Sequence, residues 1–178
     1  MKSESGFSLI EMLIVIALIG IVAAIATMNS DFVQRHQLTA ASRGLYSDLQ
    51  KIRQDALTRG SVANSRGFGI RFASNTSYSI FEFNDADGDF TYDGTGEESG
   101  AAQKTLSSVT VTIGDAGDPT NNVLIYDKRG MTRAVNWSSA GGRTYVLRAT
   151  RVSQARCVSV STVRIREGVW NGASCSQF

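Results

Sequence analysis

One histidine, one proline and two cysteines are all that the 178 residues supply of those types, and each scarcity narrows the field. With His36 alone, and no Cys/His cluster, the chain offers neither a nucleophile–base pair nor a soft metal centre. It has no Gly-x-Ser-x-Gly elbow. Its Gly67-Phe68-Gly69 lacks the third glycine of a dinucleotide fingerprint and opens an alternating run rather than a helix. Enzymatic readings have little to stand on. Proline is missing from the whole of Phe7 to Arg59, so nothing there forbids one uninterrupted helix. Net charge is weak, formally +2, and no internal repeat is evident. Trp137 and Trp170 read as core or contact residues rather than ligand platforms.

What the chain does have is an apolar run from Phe7 to Met28, broken by one charge, Glu11. At a rise of about 1.5 Å per residue, such a helix just spans a hydrocarbon core of roughly 30 Å. A carboxylate inside it costs about 2.5–3.5 kcal/mol on insertion scales, which a plain anchor has no reason to bear. Glu11 therefore needs a positive partner, supplied by another molecule.

Gly6-Phe7-Ser8-Leu9-Ile10-Glu11, heading an apolar helix, resembles the start of type IV pilins and type II secretion pseudopilins. The resemblance implies that an inner-membrane prepilin peptidase cuts between Gly6 and Phe7 and that the new amine of Phe7 is methylated. It also implies that Glu11, fifth in the mature chain, pairs with the terminal amine of a neighbouring subunit. The leader, residues 1–6, keeps Lys2 on the cytoplasmic side, as the positive-inside rule prefers. An ordinary secretory signal cut after Ala24-Ile25-Ala26 is the alternative. Against it stand a single Lys in the n-region, a carboxylate inside the apolar run, and a run longer than the usual 7–15 residues. A plain single-span anchor is the other.

Past Met28 the helical period continues. Leu38, Ala41, Leu45, Leu49, Ile52 and Ala56 form an apolar stripe, and the polar and charged residues, Asp48 among them, fall mostly off it. Gly60 is the natural stop. One helix of some fifty residues, on the order of 80 Å, follows, with Gly20 and Gly44 as its weak points and His36 on its polar side. After Arg66 the period changes to two. Phe68, Ile70 and Phe72 share a face; Tyr78 and Ile80 take one side of the next run, Phe81 and Phe83 the other, with a hairpin at Ala73–Ser77. Further strands are expected over 106–113, 123–127, 144–150, 156–161 and 163–167. The division is a leader (1–6), a transmembrane or filament-core half-helix (7–28), an amphipathic half-helix (29–60) and a β-rich periplasmic head (61–178). The fold class is α+β: a long N-terminal helix, its first half transmembrane, packed on an antiparallel sheet.

Ile125-Tyr126-Asp127-Lys128-Arg129-Gly130 and the closing Val163-Arg164-Ile165-Arg166 narrow the resemblance to minor pilins and pseudopilins of the GspH/FimT type, with Val163 where that group has glycine. The carboxyl-terminal cysteine pair is similar to that of FimU-like minor pilins. The resemblance implies a minor pilin that initiates or caps a type IV pilus, single-pass in the bacterial inner membrane before assembly. Its partners would be other pilins through the N-terminal helix, the prepilin peptidase and the inner-membrane assembly platform. A GspH-like pseudopilin of type II secretion and a DNA-binding competence pilin are the alternatives. With the head in an oxidising periplasm, Cys157 and Cys175 are expected to pair. The bridge would close a loop of about twenty residues, worth roughly 3 kcal/mol.

Charge is unevenly spread. Nine acids against Lys104 occupy 82–118, and nine bases against Asp127 and Glu167 follow Val123. Either the head has an acidic and a basic side, or the two halves attract one another within the fold. In the acidic stretch Asp85, Asp87 and Asp89 have the two-residue spacing of hard oxygen ligands and Asp93 follows four residues on, yet no register satisfies an EF-hand. Calcium is one reading and a solvated hairpin tip the other; no other cofactor is expected. Alternation places Arg164 and Arg166 on one face of a strand, Val163 and Ile165 on the other. The arginine pair suits phosphate, hence DNA, or else a polar face between subunits.

Overall fold

The computed structural model describes residues 8–59, 65–113 and 122–177. The leader, Phe7 and Gly60 lie outside the described residues. Among the described residues one α-helix, α1 (Leu9–Arg59), is followed by ten strands, with a single 3-10 turn at Thr95–Glu97: the α+β architecture that the sequence implies. The helix opens at Ser8, whose carbonyl accepts from the Glu11 and Met12 amides. It closes on Arg59, paired with Asp55 one turn back at 3.1 Å. Its two halves differ in environment. From Leu9 (85% exposed) to Ile25 (56%) the large apolar side chains face outward. Beyond Leu38 the stripe is covered, with Leu45 and Leu49 fully buried. Each such burial stabilises by about 1.5–3 kcal/mol before entropy is counted. Among the described residues no helix is long and apolar enough to cross a membrane; the side chains that close the 7–28 run, from Ala26 on, are not among those described.

The strands are β1 (Ser65–Ser74), β2 (Ser77–Asn84), β3 (Glu98–Thr105), β4 (Val109–Ile113), β5 (Val123–Asp127), β6 (Thr132–Arg133), β7 (Arg143–Ala149), β8 (Val152–Val160), β9 (Ile165–Trp170) and β10 (Cys175–Gln177). They form two antiparallel sheets, ordered β3-β2-β1-β5-β6 and β10-β9-β8-β7-β4. Both lie along α1 and share one core on its stripe, where Phe72 stacks on Tyr145 with ring centroids 5.0 Å apart. The Arg143 side chain of β7 donates to the Val123 carbonyl of β5, and Leu106 and Val111 donate to the β1–β2 turn, so the sheets are also tied by hydrogen bonds.

Side-chain alternation on β2 runs as the sequence suggests. Pairing of Ile70 with Ile80 and Phe72 with Tyr78 points these toward α1. Phe81 and Phe83 point away, into a second core with Tyr92, Val123 and Ile125. Gly69 is obligatory there: a Cβ would come within 2.6 Å of the Phe81 ring. Three strands, β3, β6 and β10, lie where none was expected. The expected strand at 163–167 instead starts at Ile165 and runs to Trp170. Val163 does not share a buried face with Ile165. It sits 57% exposed in the β8–β9 turn, closed by the Ser161 amide donating to the Arg164 carbonyl at 2.7 Å.

Candidate functional site

The part of α1 that leaves the head begins with Glu11 in its first turn, exposed among Ile10, Met12 and Leu13, each more than 60% exposed. A carboxylate at a helix N-terminus suits the helix dipole. The surrounding surface is apolar far beyond what a monomer leaves uncovered. Gly6 and Phe7 lie outside the described residues.

Four polar contacts lock the other half of α1 to the head, from bottom to top. Gln34 accepts from the Arg151 amide in the β7–β8 turn at 2.8 Å. Ser42 donates to Glu167 of β9 at 2.8 Å. Asp48 accepts from Tyr78 at 2.6 Å and from Lys104 at 2.7 and 2.8 Å. Arg53 donates to the Gly130 carbonyl at 3.2 Å. Asp48 is therefore not off the stripe but buried within it, because Leu45 and Ile52 lie three and four residues to either side. Burial, the Asp48 hydrogen bond and its charge together push the Tyr78 hydroxyl well above its ordinary pKa, keeping it a donor.

Asp127 is the hub of the next contact. Its Oδ1 accepts from the Arg129 and Met131 amides at 2.9 and 3.0 Å, and its Oδ2 from Arg133 at 2.9 Å. The Gly130 amide returns to the Asp127 carbonyl at 2.7 Å. Gly130 adopts φ +70°, where a Cβ would also press on Arg53 and Leu57. The hydrophobic-Asp-x-x-Gly segment is thus a tight turn that seats the β5–β6 hairpin against the helix.

In the acidic loop, carboxylate oxygens of Asp85, Asp87 and Asp89 lie within 4.8 Å of one another, and Asp93 stands outside the group. The loop is built from inside. Asp85, buried, pairs with Arg66 at 2.8 Å and accepts from the Gly88 amide at 2.9 Å. Burial works against its charge, but these donors prevail and hold its pKa below the usual carboxylate value. Arg66 also stacks over Phe90, 4.3 Å from the ring centroid. Nearby, Arg71 grips Glu98 with two hydrogen bonds, 2.6 and 3.2 Å, and Tyr92 donates to the same carboxylate at 2.5 Å. Asp85 and Glu98 thus take their cations from β1, whereas Arg133 and Arg156 pair with Asp127 and Glu167. The acidic and basic halves are not spent on one another in these pairs.

Arg164 and Arg166 line one open depression of about 420 Å³ with Ser159, Ser161, Cys175 and Gln177. Arg164 is exposed. Arg166 is half-buried, and with the Gln177 amide oriented toward it, the carboxamide oxygen accepts from its Nε at 3.0 Å. Cys157 and Cys175 are bonded, Sγ–Sγ 2.06 Å and Cα–Cα 5.9 Å. The bridge runs from β8 across β9 at Gly168 to the edge strand β10, and a Cβ at Gly168 would fall on the Ser176 carbonyl. Missed by sequence reasoning were Asp48, Ser42 and Glu167, and the Arg71–Glu98–Tyr92 cluster. For Asp48 the i±3/i±4 spacing to Leu45 and Ile52 was an available signal; for the others the partners are far apart in sequence.

Two family models match. Residues 1–27 fit the prokaryotic N-terminal methylation motif, and residues 41–163 fit the type II transport protein GspH. Among curated proteins, a type IV major fimbrial protein FimA of Dichelobacter nodosus is 32% identical over 149 residues, covering 80% of this chain and 89% of the relative. A second FimA from that organism is 30% identical over 157 residues, 84% and 92% of the two chains. No solved structure matches the chain. A methylation motif, a GspH head and fimbrial relatives along most of its length coincide with a long helix on an antiparallel head; the chain belongs to the type IV pilin-like proteins of the GspH/FimT type, structural subunits rather than enzymes.

Proposed function

We propose that this chain is a minor pilin, cut between Gly6 and Phe7 and methylated at Phe7. It stands single-pass in the inner membrane with its head in the periplasm, and is then drawn into a type IV pilus as an initiating or capping subunit. The supporting observation is the outward-facing apolar surface of α1 from Leu9 to Ile25, with one carboxylate set in it. Lipid covers that surface before assembly, and the helices of neighbouring subunits cover it afterwards. Glu11 then receives the freed amine of an adjoining subunit, which removes the cost of a bare charge among apolar helices.

Two measurements test this. In cells that possess the peptidase, the mature N-terminus should be methylated Phe7. Glu11→Ala should leave the protein in the membrane but deplete it from sheared filaments by at least tenfold. An uncut chain, or normal incorporation of the alanine variant, sinks the proposal. The GspH match favours a second reading, a subunit of a type II secretion pseudopilus. Deletion separates the two: loss of piliation supports the first, loss of protein secretion with pili intact supports the second. DNA capture is a further use of the same head, supported by Arg164 and Arg166 lining one depression. A gel-shift series of the head with both arginines replaced checks it.

A further inference from the structure

Charged side chains stand at distinct levels of the head along the helix axis. The polar contacts from Gln34 to Arg53 give its levels: the β7–β8 turn is lowest, at Gln34, and the Asp127 turn sits at Arg53. Arg59 stacks on Phe68 near the helix end, and the acidic loop leaves β2 beyond that level, next to Arg66. The base therefore carries exposed Arg35, Arg148 and Arg151, with Asp31 as the acid on the same helical turn. The crown carries Asp85, Asp87 and Asp89, and the Asp127 turn below it exposes Lys128 and Arg129.

Distance decides which end a membrane can feel. Six residues separate Met28, where the apolar run stops, from Gln34, so the β7–β8 turn stands roughly 9 Å above that point along the helix. The Debye length at physiological salt is about 8 Å, and a tilt of about 20° toward that side would lower the turn further. The crown is roughly another 38 Å up, several screening lengths away. Phe32, 62% exposed one turn past Met28, sits where aromatic side chains favour the headgroup zone.

We propose that the base of the head is a docking surface for anionic phospholipid headgroups, contacted by Arg35, Arg148 and Arg151. This rests on the membrane-spanning reading above. Before assembly, the surface holds the head low on the bilayer with its acidic crown outward, and drawing the subunit into a filament releases it. Charge complementarity and continuity with the apolar helix commit the surface to lipid rather than to a protein partner.

The test is amide hydrogen exchange of the full-length chain in nanodiscs of phosphatidylcholine alone or with about one-third phosphatidylglycerol. The expected result is that Thr150–Ser153 exchanges at least fivefold more slowly in the anionic discs. That slowing should vanish in the Arg148→Gln/Arg151→Gln variant and at about 0.5 M salt. Equal exchange in both discs, or slowing that survives the double variant, overturns the proposal. So does slowing that needs two copies per disc and disappears with Asp87→Asn/Asp89→Asn, since the partner is then a second head. A chain that enters neither disc defeats the spanning reading itself and this inference with it. Unchanged melting of the double variant in detergent shows that the fold is intact.

Discussion

A single carboxylate can hold more of a fold than a whole strand. Asp127 receives two amides and a guanidinium while buried to 5% exposure, and the turn it closes rests on Arg53 and Leu57 of α1. Asp127→Ala would strand the Arg133 guanidinium and two amides together, at a cost of about 3 kcal/mol. Asp127→Asn keeps an oxygen for the amides and should lose less than half of that. Urea unfolding of the two variants checks the ranking; equal losses would mean that Arg133, not the turn, is what matters. The sequence displays Ile125-Tyr126-Asp127-Lys128-Arg129-Gly130 as a motif but not its purpose, because Arg53 lies 77 residues away. Glu11 is the opposite case. Its oddity, one charge in an apolar run, is local, so the sequence alone exposes it.

Helices and buried strands announced themselves through their periods; edges did not. The α1 stripe and the Phe68/Ile70/Phe72 alternation are each covered on a definite side, and one-sided cover is what periodicity records. β3, Glu-Ser-Gly-Ala-Ala-Gln-Lys-Thr, is exposed along nearly its whole length and is held by its ladder to β2, so no pattern marks it. β10 is likewise three residues kept in place by a bond rather than by a core. Reduction of Cys157–Cys175, eighteen residues apart, should therefore act on this element first. Global stability should fall by about 3 kcal/mol, and amides of Cys175–Gln177 should exchange freely while those of β1 and β2 keep their protection relative to the new global limit. Protection of β10 that survives reduction would show that its ladder to β9 and the Gln177–Arg166 contact suffice to hold it.

Across the whole molecule, the acidic crown is stabilised by the very charges that make it acidic. Glu98 is penalised by burial, but the paired hydrogen bonds from Arg71 and the one from Tyr92 outweigh this and hold its pKa below the ordinary 4.5. Asp85 behaves the same way through Arg66 and the Gly88 amide, below its ordinary 3.8. Each carboxylate binds a proton less readily in the folded chain than in the unfolded one. Each therefore contributes stability that is complete above about pH 5 and is lost as the pH falls through the depressed folded values. The head should melt at a constant temperature from about pH 7 to pH 5 and then at steadily lower temperatures toward pH 3. Glu98→Gln should melt lower than the parent at neutral pH yet decline less steeply in acid, because one of the two coupled protonations is gone. The two curves should converge once the pH has fallen through the depressed Glu98 value. A variant that declines in parallel with the parent would show that the acid response belongs to groups other than the Arg71–Glu98–Tyr92 cluster, and that the crown is a passive surface rather than a charged lock closing the second core.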